Sequence, residues 1–244
     1  MWLLLCTSDD HPALWAANRL RARGLSPLVL LTPELLHFSS RWLHRLGNED
    51  PPSVEFTLAD GRPIRSVEIR GVLNRIPGLP PGLVSHLAPA DRSYALQEWT
   101  ALHISWLSAL HAPVLNRPVM QGLCGAWRHD SEWVWLAARS GLRTVRYRQS
   151  GAIEIPAQQT AVNTHHLVAA RRVFVVDGRT VGDGLSTETA AACALMGRLS
   201  DTRLLGIDLD PASGEFLGAS PRPDLRQGGE PLVTMLHEAL TRHV

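Results

Sequence analysis

The stretch Trp2-Leu3-Leu4-Leu5-Cys6, followed by Thr7-Ser8-Asp9-Asp10, decides the fold because an apolar run of strand length ends abruptly in polar residues. Residues 12–23 then place apolar side chains at helical spacing, and Gly24 ends that helix. Leu28-Val29-Leu30-Leu31 is a second apolar run of strand length. Two buried strands joined by one helix predict a parallel crossover, so an α/β fold is expected.

The same periodicities continue beyond this first crossover. Asp60-Gly61 and Asp177-Gly178 are hairpin signals between short apolar runs. Helices are predicted over residues 34–46, 91–110, 131–140, 187–199 and 231–242, and strands over residues 54–58, 64–69, 71–75, 144–149, 173–176, 204–209 and 215–217. We therefore predict an α/β domain over residues 1–118 and a smaller α+β lobe over residues 119–244.

The composition is that of a globular chain. Of its 244 residues, 45% are hydrophobic and 19% are charged, which excludes a disordered polymer and a bundle of membrane helices. All 24 basic residues are arginine, and a net charge of +1 gives no long-range field for nucleic acid or an anionic membrane. Neither is therefore expected as a partner. The three cysteines lack metal-binding spacing, which favours buried thiols in a reducing cytoplasm.

One candidate site lies where the first strand ends. Asp9, Asp10 and His11 follow that strand, at the edge of the sheet where open α/β folds bind their ligands. A simpler interpretation is that Thr7, Ser8 or Asp9 caps the helix that follows. The turn carries no glycine-rich phosphate motif, so a dinucleotide-binding fold is not predicted.

A second candidate site lies near the end of the chain. Asp208 and Asp210 close a predicted strand before a turn, an arrangement that can bring oxygen ligands together for magnesium. Both could equally form the turn before Pro211. Guanidinium groups suit phosphate and carboxylate, but a chain without lysine must also use arginine on every positive surface. The arginines considered for an anion site are Arg139, Arg143, Arg146, Arg148, Arg171 and Arg172.

Eight segments appear in a characteristic order along the chain. They are Thr7-Ser8-Asp9-Asp10, Leu20-Arg21-Ala22-Arg23-Gly24, Gly71-Val72-Leu73-Asn74-Arg75, Glu98-Trp99, Pro113-Val114-Leu115-Asn116-Arg117-Pro118, residues 136–144, Gly206-Ile207-Asp208-Leu209 and residues 216–223. Together they resemble the ATP-grasp superfamily, and most closely the peptide ligases that form ester and amide crosslinks in graspetide (microviridin-type) natural products. The resemblance implies a Rossmann-like pre-ATP-grasp domain over residues 1–118 and a reduced ATP-grasp-like lobe over residues 119–244.

Departures from the family pattern bear on activity. The family's lysines contact the nucleotide phosphates, and this chain has none. Gly218 and Ser220 stand at the positions where the family has its glutamate and asparagine magnesium ligands, so only Asp208 matches the family's ligand set. Residues 149–172 are too few to form the family's central lid. The resemblance, together with the missing lysines, metal ligands and lid, predicts a non-catalytic binding or partner protein in a peptide-modification or related biosynthetic pathway. A protein or peptide partner, a homo- or heterodimer and no cofactor are then expected.

Two enzymatic alternatives stay open. In the first, the chain is an active ATP-dependent carboxylate-amine or carboxylate-alcohol ligase in which arginines replace the missing lysines. The nucleotide is then bound by Arg128, Arg139, Arg146 and Arg171, and Mg²⁺ by Asp208 and Asp210. In the second, a different enzyme uses a concave pocket at Asp9, Asp10 and His11.

Overall fold

The computed structural model describes residues 1–47, 52–147 and 170–242. They form two compact units, one of Met1–Trp127 with the chain from Val233 onward, and one of Arg128–Leu232. Helices alternate with strands in the first unit and flank an antiparallel sheet in the second, which confirms the predicted α/β class. The predicted boundary between residues 118 and 119 separates the two domains that the family resemblance implies. The division into compact units does not test that boundary, so it stays a prediction.

The described elements are numbered in chain order. The strands are β1 (Trp2–Leu5), β2 (Leu28–Leu31), β3 (Arg41–Arg45), β4 (Ser53–Thr57), β5 (Pro63–Arg65), β6 (Gly71–Asn74), β7 (Val114–Leu115), β8 (Arg171–Val176), β9 (Arg179–Val181), β10 (Leu204–Leu209) and β11 (Phe216–Ser220). The helices are α1 (His11–Ala22), α2 (Pro33–His37), α3 (Pro89–Ser108), α4 (Asp130–Ser140), α5 (Thr187–Leu199) and α6 (Gly229–Thr241).

A parallel sheet of order β2-β1-β6-β7 forms the centre of the first unit. Strand β1 pairs in parallel with β2 on one side and with β6 on the other. Leu3, Leu4 and Leu5 have no exposed surface, which is why β1 is apolar without alternation. The predicted crossover from β1 through α1 to β2 is therefore confirmed.

The end of α6 also belongs to this first unit. The Trp2 indole N–H donates a hydrogen bond of 3.2 Å to the Leu240 carbonyl oxygen. A Cβ atom on Gly71, at the start of β6, would lie 2.6 Å from the same oxygen. Glycine is therefore required where the backbone of α6 approaches the sheet.

The predicted helix over residues 34–46 is wrong. Helix α2 ends at His37, and residues 41–45 form β3, which pairs antiparallel with β4. The ring of Trp42 in β3 stacks on Phe56 of β4, with 4.6 Å between ring centroids. This cross-strand contact outweighs the local apolar pattern that favoured a helix.

Two predicted strands are shorter in the structure. Strand β5 ends at Arg65, and Ser66–Glu68 is a 3₁₀ turn, so the strand predicted over residues 64–69 covers only its first part. Of residues 144–147, only Thr144 forms a β-bridge, which it makes with Phe216. Residues 148 and 149 of that predicted strand lie outside the described residues.

The second unit is an antiparallel sheet of order β11-β10-β8-β9. One face packs against α4 and α5 through Val173, Val175, Leu205, Ile207, Leu136 and Met196. Side chains alternate along a strand, so Arg172, Gly206 and Asp208 belong to the opposite face. The candidate metal residue Asp208 therefore lies on the face opposite α4 and α5.

Two further findings concern the environment of the chain. Cys6, Cys124 and Cys193 are buried free thiols, as the sequence predicts. In the parts of the chain that the structure describes, no helix combines the length and apolarity needed to cross a membrane.

Candidate functional site

Asp10, at the carboxyl end of β1, forms a buried ion pair. Its Oδ2 accepts a hydrogen bond of 2.9 Å from Arg75 Nε, and its Oδ1 accepts one of 3.1 Å from Arg75 Nη2. The two side chains are 4% and 2% exposed. Asp10 Oδ1 also accepts from the Ala13 amide at 3.0 Å, so Asp10 is the N-cap of α1.

This geometry changes the interpretation of the strand-edge site. The cap was predicted at Thr7, Ser8 or Asp9, and the structure places it one residue later. Asp9 and His11 are exposed, whereas the Asp10 carboxylate is bound by partners within the fold. Arg75 lies 65 residues from Asp10, so no local pattern could identify it as the partner.

The neighbouring polar groups at this edge are also bound internally. Asn74 Nδ2 donates to the Asn116 carbonyl at 2.9 Å and to the Leu123 carbonyl at 2.6 Å. Burial, followed by the charge of Asp10, raises the pKa of the Cys6 thiol to about 11, so it stays protonated at neutral pH. These groups stabilise the sheet edge and offer no reactive nucleophile.

The second candidate site is the sheet face of the second unit that lies opposite α4 and α5. Strand pairing places Asp208 of β10 directly opposite Arg172 of β8 and opposite Gly218 of β11. Gly206, two residues before Asp208, pairs with Ser220. Asp208, Gly218 and Ser220 therefore share one face, which is the arrangement that the family resemblance implies for its three magnesium ligands.

On this face, Arg172 holds both oxygens of Asp208. Arg172 Nε donates to Asp208 Oδ1 and Arg172 Nη2 donates to Asp208 Oδ2, each at 2.6 Å. The two side chains are 25% and 21% exposed. The hydrogen bonds that Arg172 donates to Asp208 raise the pKa of Arg172, against the opposing effect of burial. The guanidinium thus supplies the positive charge at this carboxylate.

A second ion pair extends this arrangement. Arg226 Nη2 donates to Asp224 Oδ2 at 2.6 Å. Hydrogen bonding from Arg226 is the main cause that lowers the pKa of Asp224, and the charge of Arg172 lowers it further. Charges alternate from Arg226 through Asp224 and Arg172 to Asp208, so each carboxylate already has a cation.

These residues do not fit a magnesium site. Both Asp208 oxygens are bound by Arg172, and Gly218 has no side chain to offer a ligand. The Ser220 hydroxyl oxygen accepts a hydrogen bond of 3.1 Å from the Arg222 amide. Among the described residues, no group of three histidine, cysteine, aspartate or glutamate side chains is arranged to hold a metal ion.

Asp210 forms the turn after β10. Its Oδ1 accepts hydrogen bonds from the Ala212 amide at 3.0 Å and from the Ser213 amide at 2.6 Å. The structure therefore favours the turn interpretation of Asp210 over the ligand interpretation.

The four arginines predicted for the nucleotide lie on separate elements of the second unit. Arg128 pairs with Glu132, donates to the Ser200 carbonyl at 3.0 Å and lies over the Trp133 ring. Arg171 donates to the Gly184 carbonyl at 3.2 Å. Arg139 stacks on Trp135 at the end of α4, and Arg146 is exposed in the segment that follows. None of the four is hydrogen-bonded to Asp208 in the described structure. Arg172 is, and the sequence analysis considered it for an anion site but not as the partner of Asp208.

The Arg172 pair can be tested by substitution. Replacing Arg172 with methionine is expected to lower the free energy of unfolding by about 1–2 kcal/mol, because Asp208 loses its counter-charge at a partly exposed position. Urea unfolding followed by circular dichroism measures the loss. The double variant Asp208→Asn/Arg172→Met should recover part of it. Equal stability of the single and double variants would show that the Asp208 charge left without Arg172 costs nothing, which contradicts the stated cause of the loss.

Three solved structures share the fold of the whole chain. MdnC from Microcystis aeruginosa MRC, a macrocyclase bound with the precursor peptide MdnA, has a TM-score of 0.67 at 14% identity, with 98% of this chain and 99% of that chain covered. PsnB, an ATP-grasp ligase complexed with a minimal precursor, Mg and ADP, has a TM-score of 0.63 at 17% identity, with coverages of 99% and 98%.

The third structure is a RiPP-associated ATP-grasp ligase from Chryseobacterium gregarium in complex with ADP and a leader and core peptide. Its TM-score is 0.68 at 10% identity, with 98% of this chain and 96% of that chain covered. No protein-family model and no curated relative matches the chain. The chain therefore has the fold of RiPP-associated ATP-grasp peptide ligases, as the sequence resemblance implies. Residues 149–172 are predicted to be too few for the central lid. Residues 149–169 lie outside the described structure, so this stays a prediction.

Proposed function

We propose that the chain is a non-catalytic protein with the ATP-grasp peptide-ligase fold, and that it binds a peptide partner in a peptide-modification or related biosynthetic pathway. The observation that carries the proposal is the bidentate pair between Arg172 and Asp208, with distances of 2.6 Å. It places a guanidinium at the carboxylate that a ligase of this fold would need for its metal.

The physical argument concerns charge. Phosphoryl transfer from ATP depends on positioning and on neutralising the charge of the transferred phosphate, mainly with Mg²⁺ and protein cations. Here Asp208 is neutralised within the protein, and Gly218 and Ser220 provide no carboxylate beside it. The chain also contains no lysine. The sequence therefore lacks the lysines, and the described residues lack the metal ligands, that would organise the triphosphate.

The peptide partner is proposed from the fold neighbours. MdnC, PsnB and the Chryseobacterium gregarium ligase are each described in complex with a precursor or leader and core peptide. The fold is retained, and the described residues form no metal site, which favours retention of binding over retention of chemistry. A homo- or heterodimer belongs to the same proposal, as does a location in the cytoplasm, which suits three buried free thiols.

The alternative is an active carboxylate-amine or carboxylate-alcohol ligase that uses arginines for the phosphates. One observation favours it: Arg139 and Arg146 are exposed, and no carboxylate of the described residues pairs with either. An active ligase would require ATP and Mg²⁺ to bind together.

Calorimetric titration with ATP and Mg²⁺ distinguishes the two functions. We expect no binding heat at nucleotide concentrations of about 1 mM, which corresponds to a binding free energy weaker than about −4 kcal/mol. ADP with Mg²⁺ and ATP with EDTA are the controls for the nucleotide and the metal.

Magnesium-dependent ATP binding that is lost in Asp208→Ala would contradict the non-catalytic proposal. An acyl-phosphate or ADP release assay with carboxylate-containing peptides would then identify the ligase reaction. Binding that Asp208→Ala leaves unchanged would also contradict the proposal, and would direct attention to the arginines.

A further inference from the structure

Helix α3 borders an open groove in the first unit. The groove has a volume of about 390 Å³, and it is lined by Met120 and by six residues of α3: Ser93, Leu96, Gln97, Thr100, Ala101 and Ile104. Because these six recur at intervals of three and four residues, they form one continuous row on the helix, which we call the α3 stripe. Met120 is 93% exposed, and methionine is over-represented on surfaces that bind other proteins.

The burial of α3 leaves room for a further packing partner. Its buried side chains are His103, Trp106 and Leu107, all in the second half of a helix of 20 residues. The first half is exposed or half-buried in the described structure. A helix that packs on a core normally buries one apolar stripe along its length. Packing within the first unit therefore covers α3 over only part of its length.

The ionised side chains of α3 lie away from the α3 stripe. At about 100° per residue, Asp91, Arg92 and Glu98 lie at least about 110° around the helix from the centre of the stripe. Arg92 donates to the Leu87 and Ser85 carbonyls at 3.0 and 2.8 Å, and Glu98 is exposed but does not line the groove. A two-fold axis brings the same patch of two copies together, and this patch brings no like charges together.

The α3 stripe is complementary to itself. The stripe spans residues 93–104 and α3 spans Pro89–Ser108, so both have the same midpoint, between residues 98 and 99. A second copy of α3 that runs antiparallel across this midpoint forms three kinds of facing pair, each between a longer and a shorter side chain: Ile104 with Ser93, Leu96 with Ala101, and Gln97 with Thr100. Alternation of large and small side chains is what lets two faces interdigitate. A different protein would have no reason to match this symmetry.

Polar contacts and partial charges favour the same arrangement. The Thr100 hydroxyl donates a hydrogen bond of 2.7 Å to the Leu96 carbonyl, so its oxygen can still accept one from the Gln97 amide of the second copy. In an antiparallel pair, the positive N-terminal end of each helix lies beside the negative C-terminal end of the other. A parallel pair would place like ends together. Charge complementarity therefore selects the antiparallel pair.

The available area suits a weak dimer. A specific interface buries at least about 1,000 Å² in total, or about 500 Å² from each copy. Helix α3 is about 30 Å long and about 10 Å wide, which gives about 300 Å² of face. Met120 and Tyr94, which are 93% and 66% exposed, extend this face at its flanks. Because the total is close to the lower limit, we expect a dissociation constant in the micromolar range.

We propose that the α3 stripe and Met120 form the interface of a homodimer, in which the α3 helices of two copies of this chain pack antiparallel about a two-fold axis. The inference rests on the proposed function for its expectation of a dimer. It goes further by naming the partner, a second copy of the chain, and the surface that binds it.

Sedimentation velocity on the full chain, without added peptide or nucleotide, tests the proposal. We expect mostly monomer at about 1 µM and mostly dimer at about 100 µM. Ala101→Glu should weaken association at least about tenfold, because it places a charge at an exposed position of the stripe, against Leu96 of the second copy. Circular dichroism checks that the variant keeps its helix content.

The matched control is Ala138→Glu. It makes the same substitution at an exposed position of α4, in the other unit. Because Ala138 is not part of the α3 stripe, this variant should associate like the unchanged chain.

Cross-linking tests the direction of the helices. In the proposed dimer, the two copies of residue 97 lie about 4.5 Å apart along the helix axis, and the two copies of residue 93 lie about 16.5 Å apart. A short bis-maleimide should therefore link Gln97→Cys to its own copy and leave Ser93→Cys unlinked. The unchanged chain is the control, because its three cysteines are buried.

Each other outcome overturns the inference. A monomer at every concentration would exclude the homodimer, and a dimer that Ala101→Glu leaves unchanged would place the interface elsewhere. Equal cross-linking of Gln97→Cys and Ser93→Cys would contradict the antiparallel pair. None of these measurements includes nucleotide or peptide, whereas the non-catalytic function fails through Mg²⁺-dependent ATP binding, so the two failures are distinguishable.

Discussion

Replacing Arg75 with methionine is expected to lower the free energy of unfolding of the first unit by about 3–5 kcal/mol. The side chains of Arg75 and Asp10 are 2% and 4% exposed, so the substitution leaves a buried carboxylate without its counter-charge. The Ala13 amide would remain as a neutral donor to Asp10. Urea unfolding followed by circular dichroism measures the loss, and hydrogen exchange of the β1 and β6 amides assigns it to this unit.

Two variants control this experiment. Asp10→Asn/Arg75→Met removes both charges and should recover part of the stability, because an unpaired buried charge costs more than the absence of the pair. Arg62→Met breaks the Arg62–Asp60 pair, whose side chains are 59% and 53% exposed, and should change the unfolding midpoint very little. If the Arg75 and Arg62 variants unfold alike, the buried pair is not structural, and Asp10 again becomes a candidate for ligand binding.

Acidification toward pH 4 is expected to remove about 3 kcal/mol of stability from the first unit through His103. Burial lowers the pKa of His103 from 6.5 to about 4, although the hydrogen bond that Nδ1 donates to the Trp99 carbonyl opposes the shift. Between pH 6.5 and about pH 4, His103 binds a proton in the unfolded chain but not in the folded chain. Stability is therefore complete above about pH 6.5 and decreases as the pH falls toward about 4.

The surroundings of His103 support this direction. His103 is 1% exposed, and in the described structure its Nε2 atom has no hydrogen-bond partner that could stabilise a proton. The rings of Trp99 and Trp106 lie beside it. Burial also lowers the pKa of His37 and of His44, and the charge of His86 contributes at His37, so these residues add to the same trend.

Unfolding free energies measured between about pH 7 and pH 4 check the prediction. His103→Leu keeps a similar volume and should flatten most of the decrease, whereas His111→Gln, at an exposed position, should reproduce the profile of the unchanged chain. Parallel profiles for His103→Leu and the unchanged chain would show that the decrease comes from other groups.

The sequence was sufficient for the regular parts of the fold. β1, α1 and β2 follow from apolar runs and helical spacing, and α4 ends where Gly141 takes the left-handed conformation expected of a helix C-terminal glycine, with φ of 91°. The sequence was insufficient where contacts between distant residues determine the secondary structure. Residues 41–45 are a strand because Trp42 stacks on Phe56, and that contact depends on a partner strand farther along the chain.

The candidate sites show the same limit. The sequence places Asp208 at the end of a strand and identifies Gly218 and Ser220 as departures from the family pattern, and strand pairing then brings all three to one face. It does not identify Arg172 as the partner of Asp208, because the pairing register of β8 and β10 is set by tertiary structure. Asp10 and Arg75 form a long-range pair of the same kind.

The bond from Trp2 to the Leu240 carbonyl has a consequence for the order in which the protein matures. The helix backbone that receives the indole N–H of strand β1 is synthesised 238 residues after the tryptophan that donates it. Folding during synthesis usually completes an N-terminal unit first, whereas here that unit waits for the second one to be made. Until Leu240 has been synthesised, the sheet of the first unit therefore lacks the helix backbone that accepts the Trp2 hydrogen bond and packs closely over Gly71.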